Sequence, residues 1–371
     1  MSPSESGGCV LVLRALPYGA DSRTERWGQI YAPRKVLWGG WGSAPPEYPS
    51  TTILKHRPKT GFWGFVFGYP LFMLACFFFA LRRLQAGDTV VCVDLETALP
   101  GWAAARLRGA KVHFDIADPF DMAKPVPFKS FFRWLEKRVA AASDLVTVPH
   151  ASRLTLYGAE RLNARVVENV PSLPSSQFKH EFLKVCDGVA SMTFGYFGTL
   201  EAHRGLEDLV TLVKTNPYMR LKIGGRGPLT EWINQAADLC QRIEFCGSYT
   251  VSELPSLVLD VDVYCSLYYV SKPLHRYAAP NKFFEHMALG KPVLMSSGTP
   301  YANDVRANET GWIVDDGLVA LQSWYDTHNS DDAAFAVAAN NAQAIWIKKY
   351  ANWLTEQQHL FSNQPVLHEF R

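Results

Sequence analysis

The chain has 371 residues, 48% of them hydrophobic and 19% charged, with a formal net charge of +2. That length suits two domains, each with a core of its own. A charge so near zero gives no electrostatic case for nucleic acid, and none is expected as a partner. The seven cysteines (Cys9, Cys76, Cys92, Cys186, Cys240, Cys246, Cys265) form neither a CxxC pair nor a disulfide framework. Several lie in apolar strand-like runs, as small buried hydrophobes do, which points to a reducing compartment. The opening Met1-Ser-Pro-Ser-Glu-Ser-Gly-Gly lacks a basic and then an apolar stretch, so no signal peptide is expected.

Apolar runs alternate with helical patterns along the chain, the signature of parallel βαβ units. In the first half strands are predicted at Cys9–Leu13, Arg34–Leu37, Thr89–Val93, Lys111–Phe114, Asp144–Val148 and Arg165–Glu168. Helices are predicted between them at Arg23–Ile30, Pro70–Leu84, Thr97–Arg108, Pro127–Ala142 and Ala151–Tyr157. The uncharged, aromatic-rich run Phe62–Leu81 is long enough to be a candidate membrane span. Gly61, Gly64, Gly68 and Pro70 interrupt it, and basic residues flank both sides (Lys55, Arg57, Lys59; Arg82, Arg83). Spanning would also part Cys9–Leu13 from its sheet neighbour Thr89–Val93. A core helix and a helix lying on the bilayer are the readings that remain. Pro171–His180, rich in breakers, reads as a linker. Beyond it strands are predicted at Thr193–Phe197, Arg220–Ile223, Arg242–Phe245, Val261–Ser266, Pro292–Met295 and Trp312–Val314. The intervening helices fall near Gly205–Lys214, Leu229–Leu239, Pro280–Leu289 and Pro300–Arg306, and Ala333–Phe361 is strongly helical.

The segment from Tyr277 to Val293 carries the most chemistry. Pro280 can open a helix, where its missing N–H costs nothing, and Lys282 and Glu285 then lie one turn apart on one face. Gly290 reads as the stop and Pro292–Met295 as a buried strand. A charged pair at a helix start suits a phosphorylated, hydroxyl-rich ligand, although a capped helix with a surface ion pair would look the same. Earlier, Phe194–Leu206 joins a strand to a helix through Gly198, Thr199 and Gly205. Such a junction can receive phosphate, with Arg204 offering forked donors to a diphosphate. Gly225 and Arg226 end the next strand in a glycine-rich turn, which serves either close approach to a ligand or a tight turn.

In the first half Gly19 could admit a ligand to the backbone. Asp94, Asp115 and Asp118 follow the ends of strands, where a carboxylate could accept a proton from an acceptor or simply cap a helix. Asp260-Val-Asp262 leads into a strand instead of leaving one, which places it away from the strand ends where ligands bind. Neither a metal nor a cofactor is called for.

The Tyr277–Val293 segment resembles the donor-binding motif of family 4-like glycosyltransferases of the GT-B fold, of the bacterial polysaccharide and envelope type. The likeness is strongest from Thr193 to Val314. The resemblance implies an α/β architecture of two facing doubly wound, Rossmann-like domains with a C-terminal helix returning to the first. On that reading 1–172 is the acceptor-side domain, 173–340 binds the nucleotide sugar, and 341–371 packs back on the first domain. It implies that Glu285 holds the ribose hydroxyls, that Asn281 and Lys282 meet the diphosphate or sugar, and that the loop with Tyr249 cradles the base. Two positions depart from the family pattern: Thr199 stands where an Arg is usual, and Tyr277 replaces the first of two glutamates. The expected activity is metal-independent, retaining transfer from a nucleotide-diphosphate sugar to a saccharide or polyprenol-linked acceptor. Arg204 and Lys282 would stabilise the departing diphosphate, and Asp94 or Asp118 would be the base should the reaction invert. The expected location is the cytoplasm, with peripheral contact through Phe62–Leu81 on the inner face of the membrane. A sugar-nucleotide epimerase and a non-catalytic nucleotide-sugar-binding partner are the alternatives.

Overall fold

The computed structural model describes residues 8–19, 21–43, 51–55, 64–158, 160, 162–173, 184–186, 189–329 and 331–362. The chain divides into two compact units, Met1–Glu168 with Leu354–Arg371, and Asn169–Trp353. The divisions expected from the sequence fell at 172/173 and 340/341. Residues 174–180 of the expected linker, and Phe62 and Trp63 of the aromatic run, lie outside the described residues.

In the first unit the elements run β1 (Val10–Arg14), α1 (Ser22–Ile30), β2 (Val36–Trp41), β3 (Thr51–Leu54), α2 (Tyr69–Arg83), β4 (Thr89–Val93) and α3 (Leu95–Arg108). They continue through β5 (Lys111–Asp115), α4 (Phe120–Ala123), α5 (Lys129–Ala142), β6 (Leu145–Val148), α6 (Ala151–Leu154) and β7 (Ala164–Val166). The strands form one sheet in the order β3-β2-β1-β4-β5-β6-β7, with every pairing parallel. β4 is buried along its whole length, which is why it reads as an unbroken apolar run and not as an alternation. β2 runs further than Arg34–Leu37. Parallel pairing with β1 carries it from Val36 through Gly39 and Gly40, where the side chains of Phe79 and Leu13 and the carbonyl of Leu16 leave no space for a Cβ. The short strand β3 was not expected.

Helix α2 settles part of the reading of the aromatic run. Phe72, Cys76 and Ala80, four residues apart, are fully buried, and Phe72 stacks on Trp41 with ring centroids 4.6 Å apart. The opposite face leaves Leu71, Leu74 and Phe78 exposed, and Phe67 in the π-helical turn Gly64–Gly68 that leads into α2 is exposed as well. Only 17% of the Val66–Arg83 window is buried, so α2 is core on one stripe and open on the other.

The second unit comprises β8 (Lys184–Cys186), β9 (Val189–Thr199), α7 (Leu206–Thr215), β10 (Met219–Arg226), α8 (Thr230–Leu239), β11 (Ile243–Phe245), α9 (Leu254–Leu257) and β12 (Val263–Ser266). It then runs through α10 (Lys282–Ala288), β13 (Val293–Ser296), α11 (Ala302–Ala307), β14 (Gly311–Val314), α12 (Leu318–His328) and α13 (Asp332–Ile345). Its sheet has the order β11-β10-β9-β12-β13-β14, with β8 antiparallel on β9. The helical stretch predicted as Ala333–Phe361 is two helices, α13 and α14 (Trp353–Ser362), separated by a π-helical turn at Trp346–Tyr350. Phe361 on α14 packs on Trp27 and His113 of the first unit, at centroid distances of 5.5 and 5.8 Å.

Two glycines fix the ends of the central strands of the second sheet. Gly198 and Gly225 are partners in the β9–β10 register, and both have φ of 143°, a region that side chains avoid. A Cβ on Gly225 would overlap the carbonyl of Gly198. Gly225→Ala should therefore destabilise the second unit by about 1–3 kcal/mol. Gly247→Ala, at φ 72° with nothing within 4 Å of the new methyl, should cost less. Denaturant unfolding of the two variants checks the order.

Candidate active site

Both sheets reverse their winding, the first between β1 and β4 and the second between β9 and β12. Ligands of doubly wound folds bind outside the carboxyl ends of strands at such a point. In the second unit that position is a cavity of about 340 Å³, whose walls include the end of β9 (Phe197, Gly198, Thr199), Tyr249, Tyr268 and the start of α10. Arg204, Asn281, Lys282 and Glu285 also line it. Of the residues expected from the sequence, Gly198, Thr199, Arg204, Tyr249, Asn281, Lys282 and Glu285 are brought together here.

Three expected residues of the second unit are not among the cavity walls. Gly225 is held by backbone packing on Gly198, Arg226 is exposed at the end of β10, and Tyr277 closes a 3₁₀ turn at Pro273–Tyr277. Pro280 does line the cavity but does not open the helix. Asn281 is the N-cap and α10 begins at Lys282, two residues later than Pro280 at N1 would require. Gly290, with φ of 59°, follows the C-cap Leu289, as expected of a stop.

Lys282 is the unusual group. It is 4% exposed, and its ammonium lies 3.7 Å from the centroid of the Tyr196 ring and 5.7 Å from that of Tyr268. Among the described residues no acceptor reaches it. A cation in a buried aromatic corner is attracted by the ring faces but has lost its water. Burial pushes its pKa down to about 7, helped by the positive charge of Arg204, while Glu285 pulls the other way. Glu285 is 7% exposed and is oriented by the Tyr264 hydroxyl, which donates to Oε2 at 2.8 Å. Tyr249 packs edge-on against Phe197, at a centroid distance of 5.7 Å, and leaves the cavity an aromatic wall.

Arg204 is less available than the sequence implies. Its Nε and Nη2 donate to Glu201 Oε1 at 2.9 and 2.6 Å, and its guanidinium lies 4.0 Å from the Tyr268 ring centroid. Lys272 approaches the same oxygen at 3.3 Å. An incoming anion must share Arg204 with Glu201 or displace it. Glu201 and Tyr268 were missed in the sequence. Tyr268 was findable, because it follows the end of β12, beside the crossover strand; nothing in the spacing identified Glu201 as the partner of Arg204.

In the first unit the equivalent strand ends hold a charged network. Arg14 donates to Asp21 at 2.9 Å and to Asp94, and the Asp118 amide donates to Asp94 Oδ1 at 3.1 Å. Asp94 has φ of 64°, a strained conformation for a residue with a side chain, and burial pushes its pKa up to about 6 against the pull of Arg14. Asp118 is half exposed and paired with Arg153 at 3.0 Å. Asp115 is not a site residue. Fully buried, it accepts from Arg23, the Trp27 indole at 2.8 Å and Thr147 at 2.7 Å, and these donors hold its pKa below the usual range despite burial. Gly19 is exposed with φ of 82°. Asp260 and Asp262 serve the fold, the one paired with Lys222 at 2.9 Å, the other accepting from the Thr193 amide at 2.7 Å.

A two-unit α/β protein with a parallel sheet in each unit and a polar cavity at a sheet crossover has a doubly wound, Rossmann-like architecture. Residues 191–324, which include the whole lining of that cavity, match the family described as Glycosyl transferases group 1. The resemblance to family 4-like glycosyltransferases of the GT-B fold is thus borne out. Similar solved structures include HepE of Anabaena in complex with UDP and glucose, at 16% identity over 95% of this chain and 98% of that one, with a TM-score of 0.70. Sucrose-phosphate synthase of Thermosynechococcus elongatus is 16% identical over 96% of this chain and 98% of its own, with a TM-score of 0.69. The lipopolysaccharide outer core galactosyltransferase WaaB in its apo form is 12% identical over 96% and 100%, with a TM-score of 0.63. At such identities these structures establish the fold. No curated protein sequence matches the chain.

Lys282 gives a pH signature. Unfolded, its pKa is the ordinary 10.5 and in the fold it is about 7, so between these values the unfolded chain binds more protons. The stability that Lys282 costs is therefore fully lost below pH 7 and recovered as pH rises towards 10.5. Lys282→Met should raise the melting temperature most at pH 6, with the advantage shrinking by pH 9. Melting curves of both proteins across that range check it.

Proposed function

We propose that this protein is a glycosyltransferase that takes its sugar from a nucleoside-diphosphate sugar. The observation that carries the reading is the buried ammonium of Lys282, without an acceptor among the described residues, on the wall of a cavity that also holds Arg204 and Glu285. Two cations and a fixed carboxylate in one cavity match the two kinds of group such a donor carries: a diphosphate, and a ribose whose hydroxyls donate to Glu285. Tyr249 offers the base an aromatic edge. HepE was solved with UDP-glucose, which makes uridine nucleotides the first donors to try.

In the mechanism that follows, Lys282 and Arg204 stabilise negative charge as it builds on the leaving diphosphate, replacing a metal in that task. Lys282 does so with little reorganisation, since it is almost wholly buried and packed over the Tyr196 ring. Arg204 follows once the ligand competes with Glu201. The configuration at the sugar is retained, as in the resembled family. Asp94, with its raised pKa, is the base in the first unit should the reaction invert. Neither Asn281 nor Thr199 carries charge, so both serve position rather than charge stabilisation. The acceptor is a saccharide, polyprenol-linked, of the kind used in polysaccharide or envelope assembly. The exposed stripe of α2 supports a peripheral seat on the cytoplasmic face of a membrane, with Arg82 and Arg83 at its end and Lys137 and Arg138 on α5.

Two outcomes are expected. A thermal-shift screen should find a nucleoside-diphosphate sugar that stabilises the protein, with release of the nucleotide on turnover requiring an added acceptor. Lys282→Ala should then lower kcat/KM by about 10²–10³-fold. Nucleotide release without an acceptor would favour an epimerase or hydrolase, and tight binding with no turnover would favour a binding partner. For the membrane seat, flotation with anionic vesicles should be lost in a Phe67→Ser/Leu71→Ser/Leu74→Ser variant whose melting temperature is unchanged, because these side chains are exposed. Phe72 is unsuited to that test, since it is core.

A further inference from the structure

Arg204 reaches the donor cavity from a turn whose backbone is pinned. His203 (φ 65°) and Gly205 (φ 68°) flank it in the left-handed region, which a histidine enters at a cost. The segment after β12 holds that turn, for the Tyr269 amide donates to the His203 carbonyl at 2.9 Å and the Ser271 hydroxyl lies 3.0 Å from His203 Nδ1. The side chain of Glu201 is freer. It is not among the cavity walls, yet its Oε1 accepts from Arg204 Nε and Nη2 at 2.9 and 2.6 Å and from Lys272 Nζ at 3.3 Å. Despite partial burial, Arg204 and Lys272 hold its carboxyl below the usual range, so it is an anion at neutral pH. This is not the ion pair of a core. Asp115 and Arg23 are buried together, and parting them would strand a charge. Glu201 and Lys272 are 26% and 33% exposed, so a carboxylate that loses Arg204 keeps Lys272 and solvent.

We propose that Glu201 is an internal competitor for the donor's diphosphate. It occupies Arg204 before the donor enters, keeps to Lys272 while the diphosphate is bound, and retakes Arg204 as the nucleoside diphosphate leaves. The inference rests on the donor reading above and adds what that reading lacks, a route for product release. Two cations that stabilise a leaving diphosphate would also hold it as product, and tight product binding slows turnover. A carboxylate three residues away on the same chain returns to Arg204 at the effective concentration of an intramolecular partner. Differences in affinity at one site fall mostly on dissociation, so Glu201 shortens the stay of the product. It acts through Arg204 and touches no ligand atom, as a positioning residue.

Inorganic pyrophosphate is the probe, since it carries the diphosphate without a choice of base or sugar. In calorimetric titration at neutral pH, Glu201→Gln should bind it at least fivefold tighter than the wild type does. In an Arg204→Ala background the same change should alter affinity less than twofold, because no guanidinium remains to be freed. A carboxylate acting only as a nearby charge would give the same gain in both backgrounds. With a nucleoside-diphosphate sugar that turns over, product inhibition by the nucleoside diphosphate should be at least fivefold stronger in Glu201→Gln. Should Glu201→Gln not fold, Glu201→Asp, which draws the carboxylate back by one methylene, should tighten pyrophosphate at least twofold. The proposal is overturned if the change at Glu201 leaves affinity as it was or weakens it, if the gain persists without Arg204, or if pyrophosphate binds neither protein. The donor reading is tested apart from this, by the nucleotide-sugar screen, so either can fail while the other stands.

Discussion

An ammonium almost wholly buried against aromatic rings, with no anion of the described residues within hydrogen-bonding reach, is the constraint on which the second unit turns. Burying Lys282 works against folding, and the fold tolerates it because the surrounding core is large and the Tyr196 ring face attracts the charge. The arrangement is poor as structure and good as a receptor. An anion entering the cavity supplies what the protein withholds, so part of the cost of burial is returned on binding. Arg204 shows the contrasting solution, a cation already satisfied by Glu201 and Tyr268, which reacts to a ligand only by exchange.

Everything that places Lys282 follows from the sheet. β9 must carry Gly198 next to its last residue for the strand to pass Gly225 of β10, and the same missing side chain leaves room for the lysine: a Cβ on Gly198 would lie 3.1 Å from Nζ. Glu285, one turn along α10, is fixed by Tyr264 from β12, the strand across the crossover. The first unit repeats the logic with other residues. At its own crossover, Arg14 from the end of β1 meets Asp94 at the end of β4, in a strained backbone and with a raised pKa. Each sheet thus concentrates charge at the one edge where strands diverge and side chains can point into open space.

Much of this was legible from the residues. β4 was predicted to its last residue because burial on both faces leaves no polar position to blur its ends. The junctions at Gly198–Gly205 and Pro280–Glu285 could be read because glycine, proline and paired charges have few other reasons to be so spaced. What was not legible depended on partners distant in sequence. β2 crosses two glycines because β1 lies beside it, and Pro280 sits outside α10 because Asn281 caps the helix instead. Asp115 and Asp94 look alike in sequence. One is tied by Arg23, Trp27 and Thr147 into the core and the other is strained at a strand end, a difference that arises only from three-dimensional neighbours.

The central claim is that the Lys282 ammonium awaits an anion, and proton linkage tests it most directly. At pH 8.5 the free lysine is mostly neutral, since its pKa is about 7. An anion bound beside it would restore the charge. Calorimetric titration with a nucleoside diphosphate, in two buffers of different ionisation enthalpy, should show uptake approaching one proton per ligand. Lys282→Met should show none. Binding that takes up no proton in the wild type, with the same affinity at pH 6.5 and 8.5, would contradict the account.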